Sequence, residues 1–380
     1  MKKIKIKNKV RDFKNSPIKI EWEEEGIFLL NDGKNSFYGQ TNKVDGKIYL
    51  LFIPPSISSD TEVEYTVNKT SEAPQSVALK QNDNGTIDVF INETLFTTYN
   101  YATQDLVRPF LFPVIGPKNK SVLRTPPAPG NPEKVDHRHH RGIWVSHGIV
   151  NGVDNWSEEG KHGYTFHKDF SELTSGPVFA KIHSVNHWVK FVERGDVKRE
   201  VKILEEERII TVYNLPEDFR IIDHKIILNA TEGETIFKDT KESGLLSVRL
   251  NPSMEERKGG RMVNAHGGIG EDECWGKRAD WCDYCGEVEG VKCGVSVFDQ
   301  PSNFRYPTYW HIRSYGLFTA NFLGISDFTK DKTNSGTHIL PAYEKLPLEY
   351  RICIHKGYTE ESGVSDRYLN FINPPTVTIE

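Results

Sequence analysis

The chain has 380 residues, and its 48 lysines and arginines against 53 aspartates and glutamates give a formal net charge of −5 at pH 7. The two signs are interleaved without a basic stripe, which argues against a nucleic-acid partner. No apolar run approaches the roughly 18–20 residues that a membrane helix needs. The first residues alternate lysine with isoleucine where a signal peptide would have an apolar stretch, so the sequence predicts a cytoplasmic protein with no membrane partner.

Alternation of apolar and polar residues with a period of two recurs along the chain, and helical periodicity is nearly absent. The strand-like segments are 3–7, 19–22, 47–53, 86–91, 197–204, 208–213 and 225–230. Turn signals such as Asn31-Asp-Gly and Asp45-Gly separate many of them. Many short β-branched and aromatic segments punctuated in this way are typical of a sandwich or barrel. We therefore expect an all-β fold, a large antiparallel β-sandwich.

A polar stretch that ends near Ala73-Pro-Gln-Ser divides the chain. Residues 1–75 are predicted to form an N-terminal β-region, either as a separate small unit or as outer strands of one larger sandwich. Residues 76–380 are predicted to form the main β-sandwich and to carry the site. Within them, residues 124–132 are too rich in proline for a central strand and are predicted to be a loop.

Six of the 13 histidines fall between Asp136 and Lys168, together with two arginines and two tryptophans. Imidazole titrates near neutrality and ligates metals, the arginine fork matches oxyanions, and indole faces stack on sugars or cations. This stretch therefore predicts the first half of an active or binding site. Its candidate site residues are His139, His140, Arg141, His147, Trp156 and Glu158. A strand that begins at Gly142 would place His147 on the same face as Ile143 and Val145, so a structural role for that histidine stays open.

A second group of candidates lies nearer the C-terminus. If residues 310–315 form a strand, alternation places His311, Arg313 and Tyr315 on one face. Alternation in a predicted strand over residues 245–250 likewise places Arg249 on the face opposite the apolar side chains. The remaining candidates of this group, all of them polar or aromatic and close to these segments, are Asp280, Trp281 and Asn303.

Four of the five cysteines are clustered in the pattern C-x7-C-x2-C-x7-C: Cys274, Cys282, Cys285 and Cys293. A zinc ribbon usually has two short CxxC pairs, and only one exists here. The odd total argues against a fully paired disulfide framework. Isolated thiols on strands and turns are expected, with a structural metal or a reversible disulfide as the alternatives.

Several motifs in order along residues 85–375 resemble the bacterial PmoA-like family, often labelled methane oxygenase PmoA. The longest are Arg108-Pro-Phe-Leu-Phe-Pro, Asp136-His-Arg-His-His-Arg-Gly, Asn151-Gly-Val-Asp-Asn-Trp and Trp310-His-Ile-Arg-Ser-Tyr-Gly-Leu. The resemblance implies a supersandwich similar in kind to galactose mutarotase-like proteins and a link to bacterial sugar catabolism. The label itself does not suit the sequence, because that methane-oxidising subunit is a membrane protein. The four clustered cysteines are no part of the family pattern.

Three functions compete. In the first and preferred one, the chain is a carbohydrate-active enzyme, a glycoside hydrolase or lyase or a sugar epimerase, that needs no cofactor. Its acid–base groups are His140, His147 and His311, Glu158 and Asp280 form a carboxylate pair, and Arg141, Trp156, Arg249, Trp281, Asn303, Arg313 and Tyr315 bind the sugar.

In the second function, His139, His140 and His147, together with a carboxylate from Asp136 or Glu158, bind Zn²⁺, Mn²⁺ or Fe²⁺ for hydrolytic or oxygen chemistry. In the third, the chain is a sugar-binding sandwich without turnover. A small-molecule carbohydrate is the expected partner in the first and third cases, and a homo-oligomer is compatible with each of the three.

Overall fold

A computed structural model describes residues 2–127 and 136–380, and it confirms the predicted all-β architecture. The strands are β1 Lys2–Asn8, β2 Ile18–Trp22, β3 Ile27–Asn31, β4 Ser36–Val44, β5 Lys47–Phe52, β6 Thr61–Thr70, β7 Val77–Asn82, β8 Thr86–Ile91, β9 Thr94–Asn100, β10 Phe110–Gly116, β11 Lys120–Ser121, β12 Ile143–His147, β13 Ile149–Val150, β14 Val153–Asp154, β15 Tyr164–Thr174, β16 Phe179–Arg194, β17 Val197–Tyr213, β18 Phe219–Asn229, β19 Thr235–Phe237, β20 Ser243–Arg249, β21 Arg261–Asn264, β22 Trp281–Val288, β23 Val291–Asp299, β24 Trp310–Ile312, β25 Leu317–Ala320, β26 His338–Leu340, β27 Lys345–Lys356 and β28 Thr376–Ile379. The α-helices are short: α1 Gly270–Cys274, α2 Ile325–Phe328, α3 Thr359–Ser362 and α4 Val364–Ile372. No helix in the described ranges is long and apolar enough to cross a bilayer.

Two large antiparallel sheets form the main sandwich. The first has the order β24-β25-β20-β12-β10-β9-β8-β7, with β11 beside β10, and the second has the order β15-β16-β17-β18-β27-β23-β22-β21. Their inner faces share one apolar core, to which Ile210, Val248 and Ile352 belong. The segments predicted as two strands, 197–204 and 208–213, run together as β17. A small sheet of order β14-β13-β19-β26 accompanies these two.

The N-terminal region is a sheet of its own, with the order β2-β5-β4-β3-β6-β1-β28. It buries a separate core that includes Ile4, Phe28 and Leu50. Its contacts with the main sandwich include Leu51, which joins the apolar cluster on the outer face of the second large sheet, and Gln40, which accepts the backbone N–H groups of Val178 and Phe179. In the described part of the chain, the six strands of residues 1–75 pair with one another and with β28, and not with a strand of either large sheet. The seventh strand of this sheet, β28, comes from the far end of the chain and was not predicted.

A charged pair lies inside the sandwich, between the two large sheets. Glu206 and Arg208 are 0% and 1% exposed and bind each other side by side on β17. Trp188 donates its indole N–H to Glu206 over 2.6 Å, and Nη1 of Arg208 donates to the carbonyl oxygen of Pro109 over 2.9 Å. Burial of these charges is tolerable because each is paired and hydrogen bonded. The bond to Pro109 also fixes the start of β10, next to the residues of the candidate site.

Two local predictions need comment. The predicted strand over residues 310–315 is wrong beyond Ile312, because the backbone turns at Arg313–Gly316, where the N–H of Gly316 donates to the carbonyl of Arg313 over 2.9 Å. The proline-rich loop is confirmed over residues 124–127, which have no regular structure, and its remainder, 128–132, lies outside the described residues.

Candidate functional site

The loop that carries the histidine motif is held in place by a buried arginine. Arg124, 5% exposed, donates from Nη1 to the Asp136 carboxylate over 2.7 Å. From Nη2 it donates to the carbonyl oxygens of His137 and His140, each over 2.9 Å. His137 has a φ of +46°, which is rare for a residue with a side chain and fits a loop shaped by its surroundings. The loop ends at Gly142, where φ is +58° and a Cβ would clash with the carbonyl oxygen of Leu111.

Four aromatic rings form a column that runs from the surface into the core. The centroids of Tyr315 and His137 are 5.0 Å apart, those of His137 and His140 are 4.8 Å apart, and those of His140 and Trp144 are 5.3 Å apart. The first two pairs are parallel within 5°. Because Tyr315 belongs to the C-terminal motif, the two halves of the predicted site meet in this column.

One ion pair orients both stacked histidines. Both Nη2 contacts from Arg249 to the carboxylate oxygens of Asp136 are 3.1 Å, and Nη1 of Arg249 lies 3.4 Å from Nδ1 of His140. Arginine only donates, so Nδ1 of His140 accepts and a neutral ring then carries its proton on Nε2. Nδ1 of His137 lies 3.1 Å from Oδ2 of Asp136 and, because it faces an acceptor, carries the ring proton. Both rings therefore turn their Nδ1 edge to the same ion pair and their Nε2 edge away from it.

Two of the loop's imidazoles are neutral. Burial, reinforced by the charge of Arg108, lowers the pKa of His139 to about 3. Burial also places the pKa of His140 well below its usual range, helped by His139 and Arg249. Partial burial raises the pKa of Asp136, but Arg249, His137 and Arg124 outweigh that effect, so the net pKa lies below the ordinary value. The resulting site pairs a carboxylate with neutral imidazole rings.

Trp156 forms one wall of the site. Its ring contacts His139 and His140 edge to face, at centroid distances of 5.8 and 5.2 Å. Asp154 fixes its position, because the Asp154 carboxylate accepts the backbone N–H groups of Trp156 and Ser157. Among the described residues, Nε1 of Trp156 and Nε2 of His140 have no hydrogen-bond partner although both atoms are buried. These are two N–H donors in neighbouring rings that no acceptor in the described residues satisfies.

Charged residues flank this wall. Glu158 accepts hydrogen bonds from Nη1 of Arg108 over 3.2 Å and from Nη2 of Arg141 over 2.6 Å. A further ion pair adjoins Tyr315: Nε of Arg313 lies 2.9 Å from the Glu271 carboxylate, and the Arg313 guanidinium lies 5.7 Å from the centre of the Tyr315 ring. Arg313 is about one third exposed, so it is the arginine of the group that solvent reaches most readily.

Comparison with known families adds one result. The profile of a family described as a family of unknown function, DUF6807, matches residues 86–368, about three quarters of the chain. The chain belongs to the DUF6807 family. The matched range contains every residue of the site described above, and it leaves out β1 to β7 and β28. No curated protein matches the chain.

Several residues predicted for the site hold other positions in this DUF6807 protein. His147 is fully buried; its Nε2 donates to the carbonyl of Lys238 over 2.8 Å, and its Nδ1 accepts from the Ser243 hydroxyl over 2.6 Å. Both nitrogens are occupied, so the role of His147 is structural and its predicted roles as acid–base group and metal ligand are corrected. His311, 2% exposed, accepts the indole N–H of Trp275 at Nδ1 over 2.9 Å, and burial lowers its pKa to about 3.

The two carboxylates of the predicted pair have different partners. Glu158 is the counter-ion of two arginines, whereas Asp280 accepts a hydrogen bond from the hydroxyl of Tyr306 in a separate network. Asn303 donates to Asp299 over 2.7 Å and holds the loop beside β27. Trp281 lies in the apolar cluster on the outer face of the second sheet, so it cannot stack on a ligand at His140.

Neither the cysteines nor the group of possible metal ligands belongs to the histidine loop. All five cysteines are buried and free, as expected. Three potential ligand atoms come together at one place in residues 2–127 and 136–380, and the residues are Asp283, Cys285 and His355. The trio predicted from the sequence, His139, His140 and His147, forms no such group there.

Three contributors to the site were missed as site residues in the sequence analysis: Arg124, His137 and Glu271. Asp136 was considered there only as a possible metal ligand. Asp136 and His137 lie within the motif itself, and their pairing needs only the left-handed backbone at His137. Glu271 reaches the DUF6807 site from a distant segment and Arg124 from the proline-rich loop before the motif, and no local pattern in the sequence distinguishes either of them from surface charges.

Proposed function

We propose that the cluster around His137, His140 and Arg249 is the active site of an enzyme that transfers protons on a small carbohydrate, as a lyase, epimerase or hydrolase. The observation that carries the proposal is the shared orientation of the two histidines by the Asp136–Arg249 pair. An imidazole whose Nδ1–H is held by a carboxylate presents a basic Nε2, as in the orientation of a catalytic histidine by aspartate. His137 is the base in this arrangement.

His140 and Trp156 take the complementary role. Their free N–H groups are donors, so they are suited to a hydroxyl, carbonyl or carboxylate oxygen of the substrate and to the negative charge that develops on it. Because the pKa of His140 is far below neutrality, this ring stays neutral and keeps its donor on Nε2. A polarised oxygen near a base is what the removal of a C–H or O–H proton requires.

The substrate class rests on the side chains around these groups. Trp156 and Tyr315 offer aromatic edges and faces, and Arg313 offers a partly exposed cation beside Tyr315. Aromatic surface with arginine suits a sugar ring that carries a carboxylate or another oxygen-rich group. The resemblance to the PmoA-like family, with its link to sugar catabolism, supports the same substrate class.

Proton exchange in D₂O tests the proposal without knowledge of the product. The protein is incubated with a panel of glycosides, keto-sugars and uronates, and proton NMR follows the loss of individual C–H signals and the appearance of new anomeric signals. We expect at least one panel member to react, and we expect His137→Gln to slow that reaction by about 10²–10⁴-fold at an unchanged melting temperature.

The matched control is His162→Gln, a partly buried histidine of the same segment that contacts the Gly163 carbonyl instead of the ion pair. It should react like the wild type. A wild-type rate in His137→Gln, or a panel on which the wild type causes neither exchange nor product formation, would contradict the proposal.

A further inference from the structure

We propose that Asp283, Cys285 and His355 form a site for a divalent transition metal, with zinc as the best-suited ion, apart from the active site proposed above. Their ligand atoms all lie within 4.8 Å of one another, and none of the three side chains reaches the surface. The set combines a thiolate, an imidazole and a carboxylate, which are the three ligand types that zinc uses in proteins.

The register of three neighbouring strands brings the ligands together. β23 lies between β22 and β27, and Gly294 of β23 is directly opposite both Cys285 and His355. A Cβ at Gly294 would lie 2.7 Å from Sγ of Cys285 and closer still to the His355 ring. Glycine therefore leaves open the space above the central strand in which the side chains from the two outer strands meet.

The groups behind the ligands are arranged as in known metal sites. Ser296, directly opposite Asp283, donates its hydroxyl to Oδ1 of that carboxylate over 3.0 Å. Nδ1 of His355 lies 3.4 Å from the carbonyl oxygen of Lys356, which leaves Nε2 to face the other ligands. Histidine ligands commonly use their second nitrogen in this way, and the contact fixes the tautomer and the orientation of the ring.

The distances require only a small adjustment. Nε2 of His355 lies 3.0 Å from Oδ1 of Asp283, and Sγ of Cys285 lies 2.9 Å from Oδ2. A tetrahedral zinc site uses one carboxylate oxygen, and bond lengths of about 2.0–2.3 Å place its ligand atoms about 3.3–3.6 Å apart. With one atom from each residue, the ligand atoms here lie within 4.8 Å of one another, so the side chains must shift by up to roughly one ångström. Binding releases the thiol proton of Cys285 to solvent, and the neutral His355 ring coordinates through Nε2 with its own proton on Nδ1, facing the Lys356 carbonyl. Thiolate and carboxylate together then cancel the charge of the ion, which matters in a fully buried place.

The fourth ligand position points to helix α3. The Thr359 hydroxyl, at the first residue of α3, lies 3.6 Å from Sγ of Cys285. A threonine hydroxyl or a water at this position would complete a four-coordinate shell around the ion. The ion would fasten the C-terminal helices α3 and α4 to the second large sheet.

Elemental analysis tests the site on the full chain, produced without a histidine tag and purified without chelator. We expect about one equivalent of zinc in the wild type and a loss of at least tenfold in Cys285→Ala and His355→Gln. Cys293→Ala is the matched control, because Cys293 is equally buried on the neighbouring strand and lies outside the ligand group; it should keep its zinc. Zinc that stays in Cys285→Ala would overturn the proposal.

A second measurement does not depend on the folding of the variants. The wild type is stripped with chelator and titrated with Co²⁺, and a thiolate-to-cobalt charge-transfer band should saturate at one equivalent. Alkylation followed by mass spectrometry should then show Cys285 as the cysteine that the ion protects. A wild type that binds neither Zn²⁺ nor Co²⁺, or protection of a different cysteine, would overturn the site.

Discussion

Acidification should destabilise the fold through His147, and the size of the effect follows from the contacts of this residue. The imidazole is fully buried, donates from Nε2 to the Lys238 carbonyl and accepts at Nδ1 from Ser243. Both bonds belong to the neutral ring, and burial lowers the pKa of His147 to about 4. An added proton on Nδ1 would put an uncompensated charge into the core.

The native pKa of about 4 is compared with an unfolded value of about 6.5. Between these two values the unfolded chain binds more protons than the folded one, so the free energy of unfolding decreases as the pH falls. The contribution of His147 is complete above about pH 6.5 and is lost progressively towards pH 4. At pH 5 the loss is about 2 kcal/mol, from roughly 1.5 pH units at about 1.4 kcal/mol each.

Urea unfolding at pH 7 and at pH 5 measures this effect in the wild type and in His147→Gln. Six of the seven tryptophans lie in residues 76–380, so their fluorescence follows the main sandwich. The glutamine variant should be less stable at pH 7, but on acidification it should lose about 2 kcal/mol less than the wild type. His266→Gln, a change at a mostly exposed histidine, is the control and should lose as much as the wild type. Equal losses in the wild type and in His147→Gln would refute the reasoning.

Two further predictions concern the loop of the candidate site. Gly142→Ala should lower the free energy of unfolding by more than about 3 kcal/mol, because the new Cβ would clash with the Leu111 carbonyl oxygen and because φ is positive at this residue. Thermal and urea unfolding measure this free energy. A decrease of less than about 1 kcal/mol would contradict the described backbone. Arg124→Met removes hydrogen bonds to Asp136, His137 and His140 and should cost about 2–4 kcal/mol. Arg199→Met, on the exposed part of β17, should stay within about 0.5 kcal/mol, and equal effects of the two substitutions would refute the role of Arg124.

The sheet architecture could be predicted because its cause is local. Alternation in segments such as Thr86–Ile91 marks a strand with one buried face, and this segment is β8 with the predicted bounds. The N-terminal sheet followed from the same pattern. Its last strand did not, because Thr376–Ile379 is short and its partner β1 lies at the other end of the chain. Pairing between distant segments leaves no trace in the periodicity of either one.

The composition of the sequence predicted where the candidate site lies, but the predicted strands placed only some of its residues. The concentration of histidine, arginine and tryptophan between Asp136 and Trp156 located the loop, and Arg249 reached it from the predicted face of its strand. Tyr315 arrives by a turn instead of the strand expected for residues 310–315. For His147 the sequence could not decide between a role in the site and a role in the core, because its neighbours in the sequence are compatible with both. The contacts with Lys238 and Ser243, which come from other strands and loops, show that its role is structural.

The pairing of β28 with β1 has a consequence for synthesis on the ribosome. Residues 2–70 can collapse into six strands early, but the free edge of β1 has to wait for residues 376–379. An unpaired strand edge invites association with other chains. The outward residues of β1 are Lys3, Lys5 and Lys7, and charged side chains on such an edge disfavour pairing with a second nascent chain. Once β28 has paired with β1, Lys5 binds Glu380 over 2.9 Å. The same lysine that disfavours association of the unpaired edge therefore becomes an ion-pair partner in the folded sheet.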